Sequence, residues 1–331
     1  FQSLVFTSQI ILNLYILIFR INVKNKITTF FITFTVIISV IGISLFVNYL
    51  RDPLQLFSKS FNDKKLVYGA RHQIISIIRL YPFDSIILGT SVLENTSANE
   101  SSNKLGGKFV NLSLSGGDFH TRSLVLEYAL KNKKIKKVIY SLDNDSLIDE
   151  SISNTENFDF LYDDSKANDI EIYLNKKYIK CLITDSCYME NIDIDRPFSW
   201  YKDKANSKRF GGLDNWFKAK NSGQINKAFK EILKSTKNIK LGKTNIEKHY
   251  EQKLLSSQKY INDTLIKHIS KYKNTNFILI LPPYSRIKYA IEAQYNISKF
   301  ERYKANTKYL VKQSELYSNL KIYGWGNHPF V

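Results

Sequence analysis

Cysteine is nearly absent: the 331 residues hold two, Cys181 and Cys187, spaced C-x5-C. Two thiols cannot complete a structural zinc site. They leave two options open, unpaired thiols or one short disulfide in an oxidising compartment. Methionine is scarcer still, with Met189 alone, and residue 1 is Phe, so the chain is expected to be a fragment or a processed form. No internal repeat, metal-ligand set or cofactor fingerprint is visible, and no cofactor is expected. Nor is there a nucleic-acid motif or basic–aromatic module, so nucleic acid is not an expected partner. The net charge is nevertheless +18, carried by lysines that are scattered rather than clustered. Abundant Lys, Asn, Ile, Tyr and Phe point to AT-rich coding, which accounts for part of that charge. The remainder suits attraction to anionic lipid or to an anionic wall polymer.

Charge is missing altogether from residues 28–49, "TTFFITFTVIISVIGISLFVNY". At about 1.5 Å per residue this run spans a hydrocarbon core of about 30 Å. No small-residue cleavage site follows, so an uncleaved transmembrane anchor is expected rather than a signal peptide. Residues 1–27 form an N-terminal segment, either a weaker second span or translation upstream of the true start. Arg20, Lys24 and Lys26 precede the span, and Arg51, Lys59, Lys64 and Lys65 follow it. The positive-inside balance therefore leaves orientation open.

After a connector (50–82) the chain alternates short apolar runs with helical patterns. Strands are expected at 85–89, 108–115, 136–143, 277–283 and 320–325. Helices are expected at 123–134, 251–272 and about 294–313. This rhythm implies an α/β fold with a parallel sheet covered on both faces. Residues 151–250 break it and are expected to be a mostly helical insertion in a domain running from 83 to 331. Its aromatics Trp200, Tyr201, Phe210, Trp216 and Phe217 would form a small core or line a cleft. In parallel sheets ligands sit at the carboxyl ends of strands, and Ser91, Gly116, Asp143, Asn144 and Tyr284 all follow strands at that end. Ser91 has two readings that do not exclude each other. It is a nucleophile on a strand-to-helix turn, or it caps a helix, with Glu94 three residues later completing a capping box.

Four strand ends occur in order: G-x-S at Gly89–Ser91, N-x-S-x-S-G-G at Asn111–Gly117, L-D-N-D at Leu142–Asp145 and L-P-P-Y at Leu281–Tyr284. Together they resemble the SGNH (GDSL-like) hydrolase superfamily, more closely its membrane-anchored bacterial branch. That branch includes polysaccharide O-acetyltransferases and the D-alanyl transfer protein of teichoic acids. The span followed by a D-P turn in "LFVNYLRDPLQLF" (45–57) is similar to the same branch. The resemblance covers roughly 45–331. It implies a three-layer, flavodoxin-like domain outside the cytoplasm and acyl-ester chemistry on a cell-surface polysaccharide. It also implies a membrane acyl-donor protein as partner. By the resemblance Ser91 matches the nucleophile, Gly116 the backbone oxyanion donor and Asn144 the side-chain donor. Asn144 suits that role better than Asp143, because an amide N–H stabilises an oxyanion and a carboxylate repels one. The competing expectation is a non-catalytic SGNH-like protein of polysaccharide export or modification.

A serine hydroxyl needs an adjacent base, and the D-x-x-H that supplies it in that family does not follow the last strand here. Five histidines are present. His72 precedes the first core strand, and His249 and His268 bracket a helix and are expected to be solvated. His120, in "SGGDFHTR", and His328, past the last strand, are the candidates at the right edge. Asp118–His120 is similar to the D-x-H pair of alginate-type acetyltransferases. Neither histidine is well equipped: His328 lacks an orienting acid, and Asp118 and His120 point to opposite sides if extended. The chain is therefore expected to stop before the family's D-x-x-H and to be inactive on p-nitrophenyl acetate.

Overall fold

The computed structural model describes residues 26–57, 66–67, 70–94, 96–148, 158–176, 178, 188–189, 226, 230, 248–282, 284, 289, 293 and 297–324. It opens with α1 (Lys26–Arg51), an uninterrupted helix of 26 residues. Within it Thr28–Val47 is long and apolar enough to cross a membrane, with a mean hydropathy of 2.6 and none of it buried by protein. Phe30, Phe31, Ile37, Ile43 and Phe46 all stand exposed. So much exposed apolar surface needs a lipid or protein cover.

The connector is part of the core, because its first residues are tied down by polar groups. Asp52 takes a left-handed φ of 38°, a conformation that aspartate tolerates. Its carboxylate accepts the N–H groups of Leu56 and Phe57, both at 2.8 Å, and the Tyr173 hydroxyl at 2.6 Å. Leu54 and Leu56 are buried by this turn, and the Gln73 amide holds the Leu54 carbonyl at 3.0 Å. The next helix, α2 (Ala70–Leu80), buries Ile74, Ile75, Ile77 and Ile78 completely. Their i, i+1, i+3, i+4 spacing is one helical face. Removing residues 1–50 is therefore expected to free the protein from carbonate-washed membranes with its fold intact. Removing 1–57 also strips Leu54 and Leu56 from the core, at about 2–5 kcal/mol for each large apolar side chain lost. Carbonate extraction and thermal unfolding of the two truncations check this, and a full chain that extracts with carbonate would refute the anchor.

Seven strands are described. β1 (Leu66–Val67) and β5 (Tyr188–Met189) form a small antiparallel pair. β2 (Ser85–Leu88), β3 (Phe109–Asn111), β4 (Lys137–Ser141), β6 (Asn276–Leu281) and β7 (Leu320–Gly324) form one parallel sheet in the spatial order β3-β2-β4-β6-β7. Counted along the chain within this sheet, the order is 2-1-3-4-5. The chain first steps to one side of β2 and then returns past it. Right-handed crossovers must then place the first helix on one face and the later ones on the other. That is observed. α3 (Ala98–Leu105) contributes Ala98 to a small cluster with Ile87, Phe109 and Ile139. The opposite face carries the main core, where Ile86, Val110, Val138 and Phe277 meet α4 (Phe119–Asn132). They also meet Ile261 and Leu265 of the helical run α6 (Tyr250–Ile261), a π turn (Asn262–Ile266) and α7 (Lys267–Lys271). α8 (Ile297–Leu316) adds Tyr303 and Leu310. A short helix, α5 (Asn144–Ile148), follows β4.

The segment read as an insertion is joined to this core where it is described. Two 3-10 turns, Asp159–Tyr162 and Asn168–Leu174, bring Leu161, Ile172 and Tyr173 into the main cluster. A buried ion pair between Arg79 and Asp169, at 2.5 Å, fastens them to α2. The aromatics at 200–217, both cysteines and His328 lie outside the described residues.

Candidate functional site

In a sheet of order 2-1-3-4-5 the connections from β2 and β4 leave in opposite directions, which opens a crevice at their carboxyl ends. Gly89-Thr90-Ser91 leaves β2 at that point. Gly89 admits no side chain: a Cβ there would lie 2.7 Å from the Ser141 hydroxyl oxygen and 2.8 Å from the Leu93 Cβ. Its N–H donates to the Ser113 hydroxyl at 3.0 Å, and its carbonyl accepts the Leu114 N–H at 2.8 Å. Gly89→Ala is expected to destabilise by about 1–3 kcal/mol through overpacking. Thermal unfolding checks it, and an unchanged midpoint would show that this packing is loose.

Thr90 turns inward. Its hydroxyl donates to Asp143 at 2.8 Å, while its carbonyl accepts the N–H groups of Leu93 and Glu94 at 3.1 Å. Residues 91–94 are therefore a single turn and not the start of a helix. The expected Ser91–Glu94 capping box is corrected. Ser97 is the N-cap of α3 and accepts the Glu100 N–H at 3.1 Å. The same S-x-x-E spacing recurs there, and the Asn111 amide decides between the two positions. It donates to the carbonyls of Leu93 at 2.9 Å and Thr96 at 2.8 Å, which holds Leu93, Glu94 and Thr96 out of a helix. Ser91 is left exposed at the lip of the crevice.

Asp143 is the hub of the site and is 4 % exposed. Besides Thr90 it accepts the Ser141 hydroxyl at 2.6 Å and the Tyr284 hydroxyl at 3.2 Å. Its charge is met by Arg122, 3.3 Å away and fully buried. That guanidinium lies beside the stacked rings of Phe119 and Tyr140, 4.8 and 4.6 Å from their centroids. It also donates to the Ser141 carbonyl at 2.6 Å and to the Asp118 carbonyl at 3.2 Å. Arg122 thus ties the loop after β3 to the end of β4. Burial raises the Tyr284 phenol above its ordinary pKa, and the neighbouring Asp143 carboxylate raises it further. The hydroxyl therefore stays protonated as a donor, and it accepts the Asn144 backbone N–H. Asn144 itself is fully buried at the start of α5.

Gly116 lies in the turn after β3 with a left-handed φ of 66°. Leu114 pairs with Gly89, so Gly116 and Ser91 each stand two residues beyond the last rung between neighbouring segments. Of the expected site residues, Ser91, Gly116, Asn144 and Tyr284 all lie at this one sheet edge, with Tyr284 and Asn144 in direct contact. The functional residues that sequence reasoning missed are Thr90, Ser113, Ser141 and Arg122, the polar fasteners of the four strand-end blocks.

No described histidine hydrogen-bonds Ser91. The His120 backbone N–H donates to the Tyr260 hydroxyl at 2.9 Å, and Asp118 caps α4 by accepting the Thr121 N–H at 2.8 Å. His268, expected to be solvated, is buried at 2 % exposure and lies 3.0 Å from the Ser123 hydroxyl. Burial first, and then the Lys267 charge, lower its pKa from 6.5 to about 4. This serine–histidine pair is sealed inside the protein, so it cannot meet a substrate. Among the described residues no three His, Cys, Asp or Glu side chains are placed to hold a metal ion. No family model matches the chain, and no curated protein or solved structure matches it.

Proposed function

We propose that the protein is a membrane-anchored, extracytoplasmic acyl-ester hydrolase or O-acyltransferase of the SGNH-like kind, acting on a cell-surface glycan. The observation that carries this reading is the position of Ser91. It is exposed at the crevice between β2 and β4, on a loop that Thr90 and Asp143 hold from behind. The sheet order 2-1-3-4-5 supports it as well, being the flavodoxin-like order. In the proposed reaction the Ser91 oxygen attacks the acyl carbonyl of a donor ester and loses its proton to a base. The donor alkoxide leaves with a proton, and a seryl ester remains. Water or a glycan hydroxyl then attacks that ester and releases Ser91. In this proposal the backbone N–H groups of Ser91 and Gly116, with the Asn144 side chain, are the groups assigned to the developing oxyanion. His120 and His328 are the candidates for the base.

A second reading, a non-catalytic assembly or binding protein for envelope polysaccharide, is favoured by the lack of a described histidine bonded to Ser91. One experiment separates the two. The full chain in detergent is incubated with p-nitrophenyl acetate, with and without imidazole as a diffusible base, and the adduct is mapped by mass spectrometry. Turnover by the chain alone is expected to stay at background. With imidazole an acetyl group is expected on Ser91 and is absent from Ser91→Ala. No Ser91 adduct under either condition would favour the second reading.

A further inference from the structure

α1 does not run out into a free linker. Most of its apolar stretch, Thr28–Val47, is exposed, but near its end Ser44, Leu45 and Val47 are half-buried. Leu45 packs against the main core cluster, so the domain covers the helix before the apolar stretch is finished. Two residues past that stretch the Tyr49 ring lies 5.1 Å from the Phe57 ring, centroid to centroid. Asp52 then closes the junction on Leu56, Phe57 and Tyr173. The second 3-10 turn, Asn168–Leu174, packs on α1. It buries Ile172 and Tyr173 and leaves its last residue, Leu174, 53 % exposed. A single exposed leucine is common on any protein. This one follows Tyr173, which is bonded to the first residue after α1, so it stands where the chain leaves the apolar helix.

We propose that the Asn168–Leu174 turn is a second contact with the bilayer, with Leu174 seated in the interface beside α1. This rests on the anchor reading above but not on catalysis. The contact is apolar and needs no lipid charge. Tyr49, exposed just past the span, suits the same depth, where amphipathic aromatic rings collect. A 3-10 turn repeats every three residues, so Glu171 shares the face of Leu174; it is exposed, and its carboxylate stays in water at headgroup level. A lone helix would let the domain swivel. Two contacts joined by the buried Asp52 network fix its tilt, and with it the height of the crevice above the lipid.

The test uses the full chain in phosphatidylcholine nanodiscs, so that lipid charge contributes nothing. A fraction of the lipid carries a diazirine on its acyl chain close to the glycerol. After irradiation, labelled tryptic peptides are measured by mass spectrometry. Peptide 27–51 reports on the span and 167–176 on the turn. Peptide 254–259 holds Leu255, which at 66 % is more exposed than Leu174 and controls for exposure alone. Label is expected on 27–51, and on 167–176 at about fivefold or more above 254–259. Leu174→Gln is a surface change and is expected to lower the label on 167–176 about threefold or more. Leu174→Trp, suited to the interface, is expected to retain it. Label on 27–51 with 167–176 no higher than 254–259 overturns the docked turn and leaves the anchor standing. No label on 27–51 overturns both. Label on 167–176 that Leu174→Gln leaves unchanged overturns the seat given to Leu174. Protection of 167–176 without lipid label, and only at two or more chains per disc, would assign the turn to a second copy and overturn the proposal.

Discussion

Replacing Asp143 by alanine is expected to cost the fold about 3–5 kcal/mol, the usual penalty for breaking a buried ion pair. The variant leaves the Arg122 guanidinium charged and buried beside Phe119 and Tyr140 with its carboxylate gone. It also removes the acceptor for the hydroxyls of Thr90, Ser141 and Tyr284. Against a typical stability of about 5–15 kcal/mol the loss is large. Denaturant unfolding of the full chain in micelles measures it. The double variant Arg122→Met with Asp143→Ala is expected to recover part of the loss, because it removes the orphaned charge as well. A cost below about 1 kcal/mol for Asp143→Ala, or no recovery in the double variant, would show that water already reaches the pair.

The same network explains why the site was only half legible in the sequence. Strands read well because buried parallel strands are continuous apolar runs, and Ile86–Leu88, Val138–Tyr140 and Phe277–Leu281 are such runs. Sheet order follows from neither composition nor periodicity; the connections set it. The strand-end blocks were visible as residue types, but their division of labour was not. Asp143 looked like an obstacle to an oxyanion because its charge was counted alone. In the fold Arg122 balances that charge from the other end of a crossover helix. Nothing local marks Arg122 as fully buried, since one of the two rings beside it, Tyr140, comes from β4. Ser91 and Ser97 carry the same capping spacing, and only the long-range bonds of Asn111 choose between them.

His268 was legible and was misread. It stands seven residues after Ile261 and three after Leu265, a spacing that puts it on the buried stripe of its helix. The consequence is a pH-dependent stability. In the unfolded chain His268 takes a proton near pH 6.5, and in the folded protein only near pH 4. Between those values the unfolded state binds a proton that the native state refuses. This part of the stability is therefore complete above about pH 6.5 and is lost progressively as the pH falls toward 4. At about 1.4 kcal/mol per pH unit the loss reaches about 3 kcal/mol. His268→Gln keeps a neutral group able to bond the Ser123 hydroxyl and is expected to remove this component. Its unfolding free energy should then change less than that of the wild type over the same interval, by roughly that amount. Denaturant titrations of both proteins at pH 7, 5.5 and 4.5 provide the comparison, and parallel pH profiles would mean that His268 takes up its proton while still inside the folded protein.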